Sequence, residues 1–115
     1  MNRNSEVVLP FHLDYIAPAA IPFAASIELT DVRSERLLTA RTTNLSLFGC
    51  YVHTTDPFPV GTKVSLRITH GGTSLAALGK VVHSKPNSGM GVAFTAIEPP
   101  SQAILEKWLA SLRIE

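Results

Sequence analysis

The sequence lacks the features that mark several large classes of protein. It has a single cysteine, Cys50, which excludes an internal disulfide and favours a reducing compartment such as the cytoplasm. Lys and Arg total 10 while Asp and Glu total 9, so the net charge of +1 provides no general attraction to DNA or to an anionic membrane. No stretch reaches the ~18 uninterrupted apolar residues that a membrane span needs. These absences favour a cytosolic protein that inserts into no membrane and binds no DNA.

Side chains for catalysis or metal binding are also scarce. Cys50 lies in an apolar run, as is typical of a small buried residue rather than a nucleophile. Ser46 lacks the glycine-flanked turn of the hydrolases, and there is no Gly-rich phosphate loop. The histidines form no i, i+4 pair that would favour zinc; they are His12, His53, His70 and His83. The sequence therefore predicts a protein that is not an enzyme and holds no metal or other cofactor.

What is present is enough apolar material for one folded domain. The chain has 115 residues, of which 45% are hydrophobic, and this suits a single core. Residues 1–21 contain Pro10 and Pro18 and are predicted to form an extended N-terminal arm. Residues 22–115 are predicted to form the domain.

Most of that domain has the two-residue period of half-buried strands. Ile27 and Leu29 alternate with polar residues, and Met90, Val92 and Phe94 are predicted to share one face with Ala96. The pair Gly71–Gly72 is typical of a tight hairpin. The predicted strands are residues 23–31, 36–44, 49–54, 63–69, 74–84 and 90–97. Six short strands joined by tight turns indicate an all-β fold, a six-stranded antiparallel barrel.

The last segment changes to the helical period. Ser101 follows two prolines and is predicted to cap a helix. The apolar residues at helical spacing are Ile104, Leu105, Trp108, Leu109 and Leu112. This stripe is predicted to cover an open face or end of the barrel, although a helix carrying the only tryptophan could instead dock a partner.

The stretch NLSLFG, residues 44–49, is the candidate ligand site. Asn44 and Ser46 are two apart, so in an extended strand they would share one face, with Leu45 and Leu47 on the other. Gly49 allows a bend or a positive φ. An amide and a hydroxyl beside bare backbone suit the edge of a nucleobase. The alternative is a polar turn, because Asn and Ser also favour local hydrogen bonds.

The order of these phrases resembles the PilZ domain family. The resemblance covers residues 22–112 and rests on N-x-S-x-x-G, PVGTKVSLRI, GKVVH and GVAF...ILEKWL in sequence. It implies a six-stranded antiparallel barrel with a C-terminal helix, acting as a receptor for the bacterial second messenger cyclic di-GMP. It also implies that Asn44, Ser46 and Gly49 contact guanine.

One part of the family pattern is missing. Members that bind the messenger carry R-x-x-x-R in the arm before the first strand, where arginine can stack on guanine and pair with phosphate. The matching stretch FHLDYIAPAAIPF has no Arg or Lys, and only Arg3 precedes it. Losing two charge-assisted contacts of ~1.5–3 kcal/mol each would weaken a micromolar site by roughly two to four powers of ten.

Residues elsewhere could compensate for that loss. Arg41 is three positions from Asn44, which in a regular strand places it on the opposite face, although a bulge would correct this. Arg33 and Arg36 are predicted to be solvated residues of a turn. Tyr15 could supply stacking without charge.

Two functions therefore remain open. The first is a cyclic di-GMP receptor that uses Asn44, Ser46 and Gly49, with the site completed by Arg41, by an N-terminal residue or by a second chain. The second is a degenerate PilZ domain that does not bind the messenger and acts as a protein–protein interaction module. Its contact surface would be the arm around Phe11, Tyr15 and Ile16, or the helix with Trp108. Either function implies a regulatory protein partner.

Overall fold

The computed structural model describes residues 20–112, which form a closed six-stranded antiparallel β-barrel with one additional outer strand and a C-terminal helix. The strands are β1 (Ile21–Pro22), β2 (Ser26–Asp31), β3 (Leu37–Leu45), β4 (Gly49–His53), β5 (Lys63–His70), β6 (Thr73–Lys85) and β7 (Gly89–Ala96). The helix is α1 (Pro99–Leu112). All six predicted strands are present, and the all-β barrel with a C-terminal helix is confirmed.

The strand order is β1-β3-β2-β5-β6-β7-β4, and pairing of β4 with β3 closes the barrel. The outer strand β1 was not predicted. It pairs Ile21 with Leu45 and Pro22 with Asn44. The remainder of the predicted arm, residues 1–19, lies outside the described residues.

Alternation along the strands fills the barrel interior. Ile27, Leu29, Val64 and Ile68 are each almost fully buried, as their period predicts. The hairpin between β5 and β6 turns through Gly71 and Gly72, which have φ of 60° and 81° and so suit the mirror-image turns that match strand twist. The predicted tight hairpin is therefore confirmed.

The prediction for β7 was wrong at its end. Met90 and Val92 are buried and Phe94 is half-buried, but Ala96 is exposed. Gly79 pairs with Phe94 and Leu78 with Ala96, so β7 carries one extra residue at this point. Such a bulge shifts the alternation by one position and turns Ala96 outward.

The helix packs its apolar stripe onto the barrel. Leu105, Trp108 and Leu109 are buried and Ile104 packs against the core, which confirms the covering role predicted for these four residues. The Trp108 ring lies 5.3 Å from the Phe23 ring. Trp108 is therefore not available to dock a partner.

The predicted cap was wrong. The helix begins at Pro99, and Gln102 donates to the Glu98 carbonyl (2.8 Å), so Ser101 lies inside the first turn. Proline suits the first turn because the N–H that it lacks would have no partner within the helix. The Ser101 hydroxyl instead accepts a hydrogen bond from the Ala76 N–H (3.0 Å), which ties the helix to β6.

Candidate functional site

Ser46 forms the turn that joins β3 to β4. Its side chain has no exposed surface, and its Oγ accepts a hydrogen bond from the Phe48 N–H (3.0 Å). The hydroxyl also donates a long hydrogen bond to the Gly49 carbonyl (3.5 Å), and the Ser46 N–H donates to the same carbonyl (2.9 Å). These are the local hydrogen bonds by which serine stabilises turns. Ser46 is thus occupied by the fold.

The prediction that Asn44 and Ser46 share a face was wrong. Asn44 is half-exposed while Ser46 is buried, and Leu47 is 41% exposed although it was expected to face the same way as the buried Leu45. The reason is that β3 ends at Leu45. The two-residue alternation ends with the strand, and the turn then rotates Ser46 inward.

Gly49 begins β4 and pairs with Ala93 of β7. Among residues 20–112, the glycines with positive φ are Gly61, Gly71 and Gly72, so the turn does not use a positive φ at Gly49. Gly49 contributes its carbonyl to the turn and a buried position at the start of a strand. It therefore has a structural role in this fold.

A β-bulge at Thr43 brings Arg41 and Asn44 to the same side of β3. Thr42 pairs with Val52 and Asn44 with Tyr51, so Thr43 is the extra residue. Thr42 and Leu45 are both buried although they are three positions apart, which an unbulged strand does not allow. Arg41 and Asn44 therefore both face outward.

Hydrogen bonds of Thr42 hold this bulge in place. Its Oγ1 accepts from the Ala25 N–H (3.0 Å) and donates to the Phe23 carbonyl (2.5 Å). The two partners lie in the short segment between β1 and β2, where regular pairing with β3 is interrupted. The bulge and the interruption are thus one feature, joined through a buried hydroxyl.

The amide of Asn44 is oriented by its neighbour. The Thr43 hydroxyl donates to Asn44 Oδ1 (2.9 Å). Within residues 20–112 this is the side-chain hydrogen bond that Asn44 makes, and its amide N–H groups have no partner among those residues. These N–H groups can donate hydrogen bonds to a carbonyl oxygen or a ring nitrogen of a ligand.

A groove of about 170 Å³ lies beside these residues on the outside of the barrel. It is lined by Thr43, Tyr51, Val52, His53, His83, Lys85, Ser88 and Gly89. Arg41 pairs with His53 across β3 and β4, so its side chain lies next to the groove. No acidic side chain is among the lining residues, and the charged ones are positive or can become so.

Aromatic rings form one wall of the groove. The rings of Tyr51 and His83 stack with their centroids 6.1 Å apart and their planes at 29°. They meet above Gly91, where an added Cβ would lie 3.1 Å from Tyr51 Cε1 and 3.5 Å from His83 Cβ. The absence of a side chain at Gly91 lets the rings cross β7 close to the backbone.

Hydrogen bonding orients His53 as well. Its Nδ1 lies 3.1 Å from the Ser88 carbonyl, and because a carbonyl only accepts, Nδ1 carries the proton. His53 lines the groove, so its ring can contact a ligand there.

The other predicted residues fall elsewhere. Arg36 pairs with Asp56 and lies over the Phe58 ring at 5.4 Å, so it is a partnered residue of the hairpin end rather than a freely solvated one. Arg33 is exposed in the same turn, as predicted. Arg3, Phe11, Tyr15 and Ile16 lie outside the described residues.

Sequence reasoning missed His53, His83 and Lys85. They come from two distant places along the chain, His53 from β4 and the other two from β6, and meet only because both strands pair with β7. No local motif marks them. To find them from the sequence, the register in which β4 and β6 pair with β7 would have to be known in advance.

The rest of the described chain holds little other chemistry. Cys50 is fully buried, as predicted, and burial raises the pKa of its thiol to about 12. Residues 20–112 contain no group of three or more His, Cys, Asp and Glu side chains placed to hold a metal ion. In this same part of the chain, no helix has the length and hydropathy to cross a membrane.

Comparison with known proteins gives one family. A family model described as PilZ domain matches residues 18–111. Comparison with curated proteins gives no match.

Three solved structures are similar to the chain. The PilZ domain of CeSA from a cellulose-synthesizing bacterium has 18% identity and a TM-score of 0.65, over 83% of this chain and 98% of that one. The inhibitor of motility MotI/DgrA of Bacillus subtilis has 14% identity and a TM-score of 0.66, over 83% of this chain and 49% of that one. The PilZ domain with c-di-GMP of YcgR from Escherichia coli has 15% identity and a TM-score of 0.59, over 76% of this chain and 81% of that one. At these identities the likeness is one of fold.

Proposed function

This chain belongs to the PilZ domain family, and we propose that it is a non-catalytic regulatory domain that binds cyclic di-GMP on the outside of the barrel. The observation that carries the proposal is the bulge at Thr43, through which Arg41 and Asn44 both face outward on either side of a residue that lines the groove. The YcgR domain, whose structure contains c-di-GMP, has the same fold. We propose the cytoplasm as its compartment, because a single buried cysteine needs no oxidising environment.

The ligand has two kinds of group to satisfy. Its guanines offer flat faces and polar edges, and its phosphates carry negative charge. The stacked rings of Tyr51 and His83 suit a base, and the amide of Asn44 suits a base edge. Arg41 and Lys85 suit the phosphates. In this proposal they supply the charge that the missing R-x-x-x-R motif provides in other members.

The size of the groove limits how the ligand binds. Pockets that enclose a drug-sized ligand usually measure ~300–1,000 Å³. This groove measures about 170 Å³, so we expect it to receive one base while the remaining atoms lie along the outer surface of β3 and β4. Affinity then depends on a few charged contacts at the rim.

The test is isothermal titration of cyclic di-GMP into the full chain and its variants. We expect Arg41→Ala and Lys85→Ala each to weaken binding by roughly tenfold to a hundredfold, since a hydrogen bond to a charged group contributes ~1.5–3 kcal/mol. We expect Asn44→Ala to weaken it by roughly twofold to tenfold, since a hydrogen bond between neutral groups contributes ~0.5–1.5 kcal/mol. Arg67→Ala is the matched control, because Arg67 is an exposed arginine on β5 and does not line the groove. We expect it to bind as the wild type does.

Two results would contradict the proposal. The first is no heat of binding by the wild type up to millimolar ligand. The second is equal weakening by Arg67→Ala and Arg41→Ala, which would indicate attraction by charge alone. The first result would favour the degenerate PilZ domain that acts as a protein–protein interaction module. The internal hydrogen bonds of Ser46 would then account for the presence of this serine without any ligand.

A further inference from the structure

A second surface is built around Val60, in the turn between β4 and β5. Val60 is 62% exposed. The turn is closed by Thr62, whose N–H and hydroxyl both donate to the Pro59 carbonyl at 3.2 and 2.6 Å. Gly61 follows Val60 with φ of 96°, the conformation that a type II turn requires at its third residue. The turn therefore holds the valine side chain outward.

The turn is also fixed to the barrel. The Gly61 N–H donates to the Val81 carbonyl (2.8 Å), and the Val81 N–H donates to the Thr62 carbonyl (2.9 Å). Val60 is thus presented by a turn whose next two residues, Gly61 and Thr62, are hydrogen-bonded to β6. A side chain that is already ordered loses little entropy when a partner covers it.

One exposed valine is common on protein surfaces and by itself indicates nothing. Val60, however, separates two concave regions. One measures about 620 Å³ and is lined in part by Arg33 and Lys63. The other measures about 230 Å³ and is lined in part by Lys80 and Val82. An apolar ridge with a cationic hollow on each side has a definite chemical complement.

The two lysines of this surface lack ion-pair partners in the described part of the chain, whereas Arg33 lies near the Asp31 carboxylate and helps to lower its pKa. Lys63 and Lys80 are directly opposite each other on β5 and β6, an arrangement that destabilises a sheet because like charges repel. Within residues 20–112 the ion pair is Arg36–Asp56, so neither lysine has one. Asp31, the acidic residue here, accepts hydrogen bonds from the backbone N–H groups of Arg33 (2.9 Å) and Ser34 (3.5 Å).

We propose that this Val60 surface, formed by Arg33, Val60, Lys63, Lys80 and Val82, docks an acidic segment of a partner protein. One aliphatic or aromatic side chain of the segment would cover Val60, and carboxylates on either side of it would lie over Lys63 and Lys80. A bound carboxylate removes the repulsion between the paired lysines, so the charges that destabilise the free sheet favour the complex. An anionic membrane fits less well, because recognition of its surface takes clusters of ~4–8 basic residues.

The surface is distinct from the ligand groove and adjoins it along β6. Lys80 belongs to the first and His83 to the second, and Val82 is the bulged residue between them. The docking proposal therefore does not depend on cyclic di-GMP. Its test contains no nucleotide, and either proposal can fail without the other.

The test is selection of random peptides displayed on phage against the immobilised full chain. Peptides that also bind a Lys63→Glu/Lys80→Glu variant are removed. We expect the surviving peptides to share acidic residues on both sides of an apolar one. A synthetic copy labelled with a fluorophore is then titrated with each protein variant by anisotropy.

We expect Lys80→Glu, Lys63→Glu and Val60→Ser each to weaken this peptide by roughly tenfold or more, and added salt to weaken it further. Lys107→Glu is the matched control, since Lys107 is an exposed lysine on α1, away from the surface. Circular dichroism checks that the variants fold. All the changed side chains are exposed, so we expect native spectra.

Any of four results would overturn the proposal. The first is that the selected peptides carry no excess of acidic residues, and the second is that they bind the variants as tightly as the wild type. The third is that no peptide is selected while the chain sediments with phosphatidylserine vesicles through these lysines. The fourth is that the chain forms a dimer that Val60→Ser dissociates, in which case the occupant is a second copy.

Discussion

Two alanine variants in the N-x-S-x-x-G motif separate the structural role of Ser46 from the binding role that we propose for Asn44. Ser46→Ala removes the hydroxyl that accepts from the Phe48 N–H at 3.0 Å. A hydrogen bond contributes ~0.5–1.5 kcal/mol net to stability, and the loss of this acceptor for the Phe48 N–H in a part-buried turn adds to the cost. We therefore expect a destabilisation of about 1–2 kcal/mol. For a domain of this size that lowers Tm by about 4–8 °C. Asn44→Ala removes a half-exposed side chain and should change the free energy of unfolding by less than about 0.5 kcal/mol.

The assay is urea unfolding followed by the fluorescence of Trp108, the only tryptophan, which is buried between α1 and the barrel. Ser65→Ala is the control, because Ser65 is an exposed strand serine. Titration with cyclic di-GMP then completes the comparison. We expect Ser46→Ala, once folded, to bind as the wild type does and Asn44→Ala to bind more weakly. A stable Ser46→Ala that has lost binding would refute the reasoning, since its hydroxyl would then contact the ligand directly.

Three further predictions concern buried and surface groups. Thr42→Val keeps the shape of the side chain but leaves the Ala25 N–H without its acceptor, so we expect a loss of about 1–3 kcal/mol in urea unfolding, and an unchanged midpoint would contradict the role of Thr42 at the bulge. Burial raises the pKa of Cys50 to about 12, so we expect no alkylation of the native protein at neutral pH and full alkylation in urea, and rapid native labelling would show that the thiol is accessible. The ion pair of Arg36 and Asp56 has side chains 51% and 74% exposed, so a double-mutant cycle should give a coupling energy below about 1 kcal/mol, and a larger value would indicate a role beyond the surface.

The strands could be predicted from the sequence because their apolar residues alternate. Ile27 and Leu29, or Val64 and Ile68, lie on one side of a pleated chain whatever the rest of the molecule does. The two-residue strand β1 could not be predicted in this way, since it is too short to show a period. Its pairing with Leu45 depends on the closed barrel.

The bulges were the main obstacle to predicting the site. Nothing in the sequence of residues 42–44 distinguishes a regular strand from a bulged one. Yet the extra residue Thr43 decides whether Arg41 and Asn44 lie on the same side of β3 or on opposite sides. A bulge is stabilised by distant partners, here the backbone of Phe23 and Ala25. Local pattern therefore identified the motif but not its orientation.

Closure of the barrel determines how a partner can be recognised. Each of the six barrel strands is paired on both sides, and the outer strand β1 has two residues, so the described part of the chain offers no long free edge. Binding by addition of a strand needs such an edge. A partner that binds this part of the chain is therefore expected to contact outward-facing side chains rather than the main chain. Since those side chains contribute little to the core, substitutions such as Val60→Ser or Lys80→Glu can change the choice of partner while the fold stays the same.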